Sequence, residues 1–279
     1  MFDFKLITVD LDGTLLDDQC RVSENNLSAI KSLSKKGIFV VPCTGRTLAE
    51  IPESLKNNKD IRYIIHSTGS VILDTFTNQK VLNCISKDIA QKIFKVLSEF
   101  DVHIAIRHNG FCHVKTGTTD KKSIEYYNIF FGHEDIIRNF AKKVDNFDEW
   151  KYKIDNIEAF AIFFHDLNQR EECKSRLEKI DGLSLTFVSD YNIEILSKNS
   201  GKGSAVKNLL KMLNIEKKDA LGLGDSGNDL PMMQSVGIPI AVSNATETIK
   251  KYCKQIICSN QEHAIEYLYN NYVKKEKGQ

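Results

Sequence analysis

The sequence predicts an α/β protein in which a parallel-sheet domain is interrupted by an α+β insertion, and three features of its 279 residues lead to this prediction. The N-terminal part alternates buried strands with amphipathic helices, which is typical of a parallel sheet. The middle part places strands next to each other without intervening helices, which indicates an antiparallel sheet. The alternation returns after Gly201. The predicted boundaries are residues 1–82 and 190–279 for the first domain and residues 83–189 for the insertion.

Short apolar runs and one clear helix make up the N-terminal part. The β-branched residues in the run at residues 4–9 favour a buried strand. Leu27, Ile30 and Leu33 follow at helical spacing, and Ser23 before them is a suitable N-cap. In chain order, the predicted elements are a strand over 4–9, a helix over 23–35, a strand over 38–41, a helix over 47–57 and a strand over 61–65.

The middle of the chain begins with a helix and continues with short alternating stretches. Its predicted elements are a helix over 88–100, strands over 102–107, 111–115 and 159–164, a helix over 169–180, and strands over 183–189 and 192–196. From residue 202 the first pattern returns, with helices over 202–213, 230–236 and 246–252 and strands over 220–224 and 239–241. The two ends of the chain are therefore predicted to build one sheet.

The charge and cysteine content argue against several classes of protein. The charges of the 38 basic and 37 acidic side chains nearly cancel. Proteins that bind nucleic acids or membrane surfaces usually carry an excess of basic residues. Its one dense basic run, at Lys274, Lys275 and Lys277, is interpreted as a solvated tail. Seven scattered cysteines without a CxxC pair argue against a zinc site and a disulfide framework, and they favour reduced thiols in the cytoplasm.

Segments for secretion or membrane insertion are not visible. The N-terminus shows no basic segment followed by an apolar one, so no secretion signal is expected. No uninterrupted apolar stretch approaches the roughly 20 residues that a membrane helix needs. We therefore expect a cytoplasmic protein with neither a membrane nor a nucleic acid as its partner.

Polar loops follow four of the predicted strands, at the point where each strand ends. In chain order, these loops are residues 10–14, 44–46, 67–69 and 224–229. Ligands of open parallel sheets bind outside the carboxyl ends of the strands, so these loops are candidates for a binding site. Asp10, Asp12 and Asp225 would repel one another there without a proton or a cation, and Mg²⁺ prefers such oxygen ligands. A single aspartate can instead serve a turn or a helix cap, and Asp17 and Asp60 are interpreted in this way.

The loops resemble the motifs of one known family. The sequence DLDGTL from Asp10 resembles the first motif of the haloacid dehalogenase (HAD) superfamily, and TGR from Thr44 resembles its second motif in the Cof-type branch. KG from Lys202 resembles the third motif, and GDSGND from Gly224 resembles the fourth. All four occur in the family order, and the insertion lies between the second and the third, as the C2-type cap of class IIB does. The resemblance implies a Rossmann-like core domain with an inserted α+β cap domain.

The resemblance also implies the chemistry of an acyl-phosphate phosphatase. Asp10 would attack phosphorus as the nucleophile. Asp12 would protonate the leaving oxygen as a general acid and later activate water as a general base. Mg²⁺ would be held by Asp10, by the backbone carbonyl of Asp12 and by Asp225, with Asn228 and Asp229 completing or orienting the cluster.

A second group of residues would contact the transferring phosphoryl group. The resemblance implies that the Thr44 hydroxyl, the Gly45 N–H and the Lys202 ammonium bind its oxygens. Arg46 would either reach the substrate or pair with an acidic neighbour, and both alternatives stay open. Cof-type members commonly carry Asn-Gly-Ala after the third strand, and this chain departs from them with TGS from Thr68.

Two features of the insertion have alternative interpretations. His103, His108 and His113 are spaced so that a hairpin could gather them around a metal, although scattered histidines at strand edges are the simpler interpretation. The aromatic patch of Tyr126, Tyr127, Phe130 and Phe131 is predicted to be core, with a lid or a dimer surface as the alternative.

The predicted function is a Mg²⁺-dependent phosphohydrolase that dephosphorylates a small phosphorylated metabolite, such as a sugar phosphate or a phosphorylated cofactor. By the resemblance, the insertion would cover the site, exclude water and select the substrate. A phosphosugar mutase that uses the same intermediate is the alternative, and a non-catalytic module that binds Mg²⁺ and phosphate is a further one. Because both Asp10 and Asp12 are present, the sequence favours an enzyme.

Overall fold

The computed structural model of the chain describes residues 4–273. The basic run at Lys274, Lys275 and Lys277, which was interpreted as a solvated tail, lies outside the described residues. Among the helices within the described range, none combines the length and the apolar character needed to span a bilayer.

Two compact units make up the chain. Among the described residues, the first unit consists of residues 4–45, Ile51–Val81 and residues 201–273. The second unit consists of Arg46–Glu50 and Leu82–Ser200. The division predicted at residue 190 falls earlier than the one at residue 201, because the strand Asn192–Ser197 is hydrogen-bonded within the second unit.

The strands and helices are named here in chain order. The strands are β1 (Leu6–Val9), β2 (Phe39–Pro42), β3 (Tyr63–His66), β4 (Val71–Asp74), β5 (Lys80–Leu82), β6 (Val102–His108), β7 (Phe111–Lys115), β8 (Lys142–Val144), β9 (Ala159–Phe164), β10 (Leu183–Thr186), β11 (Asn192–Ser197), β12 (Ala220–Gly224), β13 (Ile238–Val242) and β14 (Gln255–Ile257). The helices are α1 (Glu24–Lys35), α2 (Glu53–Lys56), α3 (Lys87–Leu97), α4 (Lys121–Tyr126), α5 (Phe131–Asp135), α6 (Phe147–Trp150), α7 (Leu167–Leu177), α8 (Lys202–Leu213), α9 (Leu230–Gln234), α10 (Glu247–Tyr252) and α11 (Ala264–Leu268).

A five-stranded parallel sheet forms the centre of the first unit, in the order β14-β13-β12-β1-β2. β1 lies between β12 and β2, with Leu6 opposite both Ala220 and Phe39. Every residue of β1 and β12 is buried, which explains why both strands are continuous apolar runs in the sequence. Strands from both ends of the chain thus build one sheet, and the predicted fold class is confirmed.

The third predicted strand joins a different sheet from the one expected. β3 pairs with β4 in antiparallel orientation, and β5 completes a separate three-stranded sheet. An isolated bridge between Cys43 and Ile65 connects β3 to the residue after β2. No strands were predicted at the positions of β4 and β5. The turn that follows β4 begins at Asp74, whose carboxylate accepts hydrogen bonds from the N–H groups of Phe76 and Thr77.

Capping and proline residues set the ends of the helices near the N-terminus of the first unit. α1 begins after Ser23, whose hydroxyl accepts a hydrogen bond from the Asn26 N–H at 3.2 Å, as predicted. The single helix predicted over 47–57 is wrong. A 3₁₀ turn at Leu48–Glu50 and the short α2 replace it. Pro52 lies between them, and proline lacks an N–H and disfavours a helical conformation in the residue before it.

A six-stranded sheet forms the second unit, in the order β10-β11-β9-β6-β7-β8, and its pairs are antiparallel except that of β7 with β8. α3 and α7 pack against one face, where Phe94 and Leu177 contact a core that includes Phe160 and Phe164. A smaller core around Phe163 lies on the other face. This α+β unit matches the type of insertion that the sequence predicts.

Gly203→Ala is expected to destabilise the first unit. A Cβ at position 203 would lie 2.4 Å from the Pro231 carbonyl oxygen, so α8 and α9 would have to separate. We expect a loss of about 1–3 kcal/mol in the free energy of unfolding, measured by chemical denaturation. Gly227→Ala is the control, because a Cβ there meets nothing within 4 Å. A loss no larger than that of the control would contradict the close packing of these helices.

Candidate active site

The candidate site lies in the first unit, at the edge where β1, β2 and β12 end. These strands are parallel neighbours, so Asp10, Thr44 and Asp225, which follow them, come to the same edge of the sheet. Lys202 is the first residue of α8, and its side chain reaches Asp10. Residues from all four sequence motifs therefore meet in one place.

The Lys202 ammonium lies between two carboxylates. Its Nζ donates hydrogen bonds to Asp10 Oδ1 and to Asp229 Oδ1, both at 2.7 Å. All three side chains are buried, and Asp229 is fully so. Because a buried charge is costly unless it is paired, this arrangement holds both carboxylates in defined positions.

The crowded carboxylates alter the pKa values of the site. Burial, together with the charge of Asp229, raises the pKa of Asp10. The same two causes raise the pKa of Asp225 to about 6. Burial alone would lower the pKa of Lys202, but the charges of Asp10 and Asp229 raise it overall, so the ammonium stays protonated. The cluster carries more negative charge than one lysine balances.

The carboxylates fit a divalent cation. Asp10, Asp225 and Asp229 each offer an oxygen, and these oxygens lie within 4.8 Å of one another. Such an oxygen cluster with excess negative charge suits Mg²⁺. Asp229 already accepts hydrogen bonds from Lys202 on Oδ1 and from the N–H groups of Asp225 and Ser226 on Oδ2, at 3.0 and 3.1 Å. Asp10 and Asp225 are therefore better suited to bind the metal, with Asp229 as their support.

The loop after β1 is shaped around Asp225. Gly13 has a φ of 73°, and a Cβ there would lie 2.8 Å from Asp225 Oδ2, so glycine is required. Thr14 Oγ1 donates a hydrogen bond to Asp225 Oδ1 at 3.0 Å. Asp12, the residue before Gly13, is exposed. Its charge makes a smaller contribution, after burial and the charge of Asp229, to the raised pKa values of Asp10 and Asp225.

The loop after β2 is held by the loop after β3. The Thr44 N–H donates to the Ile65 carbonyl at 3.0 Å, and the Thr44 carbonyl accepts from the Thr68 N–H at 3.0 Å. Thr44 is buried and Gly45 is half-buried. Burial raises the pKa of the adjacent Cys43 thiol, which therefore stays protonated. The hydrogen bonds to Ile65 and Thr68 thus hold the segment that contains Thr44 and Gly45, two predicted phosphoryl-binding residues.

The remaining two predicted supporting residues have partners outside the carboxylate cluster. Asn228 is exposed, and its Oδ1 accepts a hydrogen bond from Ser226 Oγ at 2.8 Å. Arg46 belongs to the second unit, where its Nη1 donates to the Glu50 carbonyl at 2.9 Å. The two alternatives for Arg46, a substrate contact or an acidic partner, stay predictions.

Two residues that support the site were not found from the sequence. Thr14 holds Asp225, and Asn244 Nδ2 donates to the Gly13 carbonyl at 2.7 Å, which fixes the turn after β1. Thr14 could have been found, because it completes the DLDGT motif. Asn244 could not, because it lies 231 residues from Gly13 and no local pattern marks it.

The histidines of the second unit pack against aromatic rings. His113 lies over Trp150 with the ring centroids 4.8 Å apart, and the rings of His108 and His113 are 6.0 Å apart. His103 lies against Tyr127. Burial lowers the pKa of both His103 and His113 to about 4. Within residues 4–273, the group that could hold a metal is the carboxylate cluster and not these histidines.

The aromatic patch of the second unit is divided between surface and core. Tyr126 is half exposed, and the Tyr126 and Tyr127 hydroxyls donate to the Asp101 carboxylate at 2.8 and 2.7 Å. Phe130 packs against the smaller core around Phe163. The prediction of a core patch thus holds for only part of it.

Comparison with known proteins decides the family. A model of the haloacid dehalogenase-like hydrolases matches residues 7–268. The chain belongs to this family. It is similar to the 5-amino-6-(5-phospho-D-ribitylamino)uracil phosphatase YwtE of Bacillus subtilis, with 30% identity over 94% of this chain and 96% of that protein. It is also similar to phosphatase YwpJ of the same organism, with 26% identity over 95% and 98%.

Solved structures of haloacid dehalogenase-like proteins share the fold. A hydrolase of the family from B. subtilis has a TM-score of 0.77 at 24% identity, over 97% of this chain and 100% of that chain. A subclass IIB sugar phosphatase has a TM-score of 0.73 at 17% identity, over 95% and 98%. The protein is thus a Cof-type phosphatase of the haloacid dehalogenase family.

Proposed function

We propose that the chain is a Mg²⁺-dependent phosphohydrolase that works through an aspartyl-phosphate intermediate on Asp10. One observation carries the proposal: the buried Lys202 ammonium lies 2.7 Å from Asp10, beside two further carboxylates that suit a divalent cation. A carboxylate needs a nearby cation to approach an anionic phosphate ester, and this site offers one fixed cation and ligands for a second.

The residues divide the reaction into two steps. In the first, the Asp10 carboxylate forms a bond to phosphorus while the bond to the leaving oxygen breaks, and Asp12 donates a proton to that oxygen. In the second, Asp12 takes a proton from water, the water oxygen bonds to phosphorus, and the bond to Asp10 breaks to release phosphate. Asp12 is exposed and near Asp10, which suits a group that exchanges protons with substrate and water.

The other groups position charge. Asp10 and Asp225 would hold Mg²⁺ together with the Asp12 carbonyl, and the bound ion would neutralise the phosphoryl oxygens. Lys202 would contact the same oxygens while it orients Asp10. Thr44 and Gly45 would donate a hydroxyl and an N–H to them. Asp229 fixes Lys202 and the backbone N–H groups of the loop after β12.

The substrate is proposed to be a small phosphate ester, such as a sugar phosphate or a phosphorylated cofactor. YwtE and YcsE of B. subtilis, 30% and 27% identical to this chain, are both named as 5-amino-6-(5-phospho-D-ribitylamino)uracil phosphatases. That ester is therefore a suitable first member of a substrate panel. The balanced charge and seven free thiols favour a cytoplasmic enzyme with no nucleic-acid partner.

Removal of the metal is expected to stop phosphate release. With Mg²⁺ present, the protein should release phosphate from at least one member of a panel of small phosphate esters. EDTA should lower the rate by about 100-fold or more, because the site then lacks its largest positive charge. Excess Mg²⁺ should restore the rate, which controls for damage by the chelator.

The same experiment separates the alternatives. An isomerised phosphosugar without free phosphate would identify a mutase. Binding of phosphate and Mg²⁺ without turnover of any ester would favour a non-catalytic module. Equal rates of phosphate release with EDTA and with Mg²⁺ would contradict the proposed metal dependence.

A further inference from the structure

The loop after β3 has a strained backbone. Ser67, Thr68 and Gly69 have φ values of 50°, 55° and 84°, so three successive residues adopt the left-handed region. Only glycine does so without a steric cost, and a β-branched residue such as threonine is a clear outlier there. Strain of this kind persists only where the surroundings impose it, and it is concentrated at functional sites.

Hydrogen bonds and close packing hold this loop on both sides. The Thr68 N–H donates to the Thr44 carbonyl at 3.0 Å. On the other side, a Cβ on Gly69 would lie 2.3 Å from the Gly201 carbonyl oxygen and 3.0 Å from the Lys202 N. The loop is thus clamped between the segments that carry Thr44 and Lys202, two of the predicted phosphoryl-binding residues.

The strained conformation places the Thr68 hydroxyl next to Gly45, a third predicted phosphoryl-binding residue. A Cβ on Gly45 would lie 3.5 Å from Thr68 Oγ1, so the hydroxyl lies over the face of Gly45 that has no side chain. Thr68 is half-buried, whereas its neighbours Ser67 and Ser70 are fully buried. Of the three hydroxyls in this loop, the Thr68 hydroxyl is therefore the one best placed to meet a ligand.

We propose that the Thr68 hydroxyl donates a hydrogen bond to an oxygen of the transferring phosphoryl group, beside Thr44, Gly45 and Lys202. This inference rests on the proposed function of the site. Charge is spread over three phosphoryl oxygens during transfer, so a further fixed donor lowers the barrier. We assign the phosphoryl group as the part of the substrate that Thr68 binds because its hydroxyl lies beside Gly45. The difference between this chain and the Asn-Gly-Ala of Cof-type members plays no part in the assignment.

Two substitutions at position 68 separate the hydroxyl from the backbone. Thr68→Val keeps the β-branched shape and removes the hydroxyl, whereas Thr68→Ser keeps the hydroxyl. We expect Thr68→Val to lower kcat/KM by about 10-fold or more, the effect of one hydrogen bond to a charged group. The factor should be the same for every ester on the panel, because all esters share the phosphoryl group. Thr68→Ser should stay within about 3-fold of wild type.

A binding measurement tests the same contact without turnover. In calorimetric titrations with inorganic phosphate and Mg²⁺, Thr68→Val should weaken the affinity by about 10-fold, and Thr68→Ser should not. Thr77→Val is the matched control, because Thr77 lies in the turn after β4 and its hydroxyl accepts a local hydrogen bond from the Gln79 N–H. The control should leave both phosphate affinity and kcat/KM unchanged.

Three results would overturn the inference. They are unchanged activity and phosphate affinity in Thr68→Val, an equal loss in Thr68→Ser, and a loss that differs widely between esters, which would assign Thr68 to the leaving group. If wild type releases phosphate from no ester, the proposed function fails. The phosphate titrations still decide the role of Thr68 in that case, so the two failures are distinguishable.

Discussion

Asp10→Asn is expected to abolish phosphate release, with kcat at least about 10³-fold below that of wild type, because the amide cannot form the acyl phosphate. The substitution keeps the shape of the side chain and leaves the pair of Lys202 with Asp229 intact. A labelled ester should also fail to transfer its phosphoryl group to the variant. Wild type quenched in acid should carry the label.

The same substitution should not harm the fold. Folding raises the pKa of Asp10 to about 7, so a charged Asp10 carboxylate destabilises the folded state. At pH 8, which is above this pKa, the destabilisation is fully present. In metal-free buffer at that pH, Asp10→Asn should therefore unfold at the same temperature as wild type or at a higher one. Asp60→Asn, outside the candidate site, is the control and should keep full activity. Equal phosphate release by Asp10→Asn and wild type would refute Asp10 as the nucleophile.

Lys202→Met is expected to reduce both stability and activity. It leaves Asp10 and Asp229 buried without the cation that lies 2.7 Å from each. Removing one member of a buried ionic group costs about 3–5 kcal/mol in the free energy of unfolding. Chemical denaturation in the presence of EDTA would measure this loss. Phosphate release should fall by about 100-fold or more, because a cation that faces the phosphoryl oxygens is lost.

The stability of this variant should depend on pH in a defined direction. Without Lys202, the pKa of Asp10 rises further, so near neutral pH the folded state binds more protons than the unfolded chain. The loss of stability should therefore be larger at pH 8 than at pH 5.5. Lys207→Met on the exposed side of the same helix is the control, with an expected change within about 0.5 kcal/mol.

A double substitution tests whether the stability loss comes from the uncompensated carboxylates. Lys202→Met with Asp229→Asn removes one of the two buried charges and should recover part of the stability, while activity stays low. Additive losses in the double variant would show that Lys202 stabilises the fold through its packing and not through its charge.

Much of the architecture was predictable because it depends on neighbouring residues. The apolar runs of β1 and β12, the N-cap at Ser23 and the return of alternating elements after Gly201 are local patterns, and the structure shows each of them. The prediction of one helix over 47–57 was wrong for an equally local reason, because Pro52 interrupts the helix. The sheet formed by β3, β4 and β5 was missed because its short strands are marked only by a turn.

By itself, the sequence identified the family and a set of candidate site residues, because each motif is a short run of neighbouring residues. Only the tertiary structure decided how these residues act on one another. Lys202 lies 192 residues from Asp10, and the order of the parallel strands brings the two into contact. Burial raises the pKa of Asp10, and Lys202 also donates a hydrogen bond to the buried Asp229. The strained placement of Thr68 likewise depends on packing between distant segments, which no local pattern encodes.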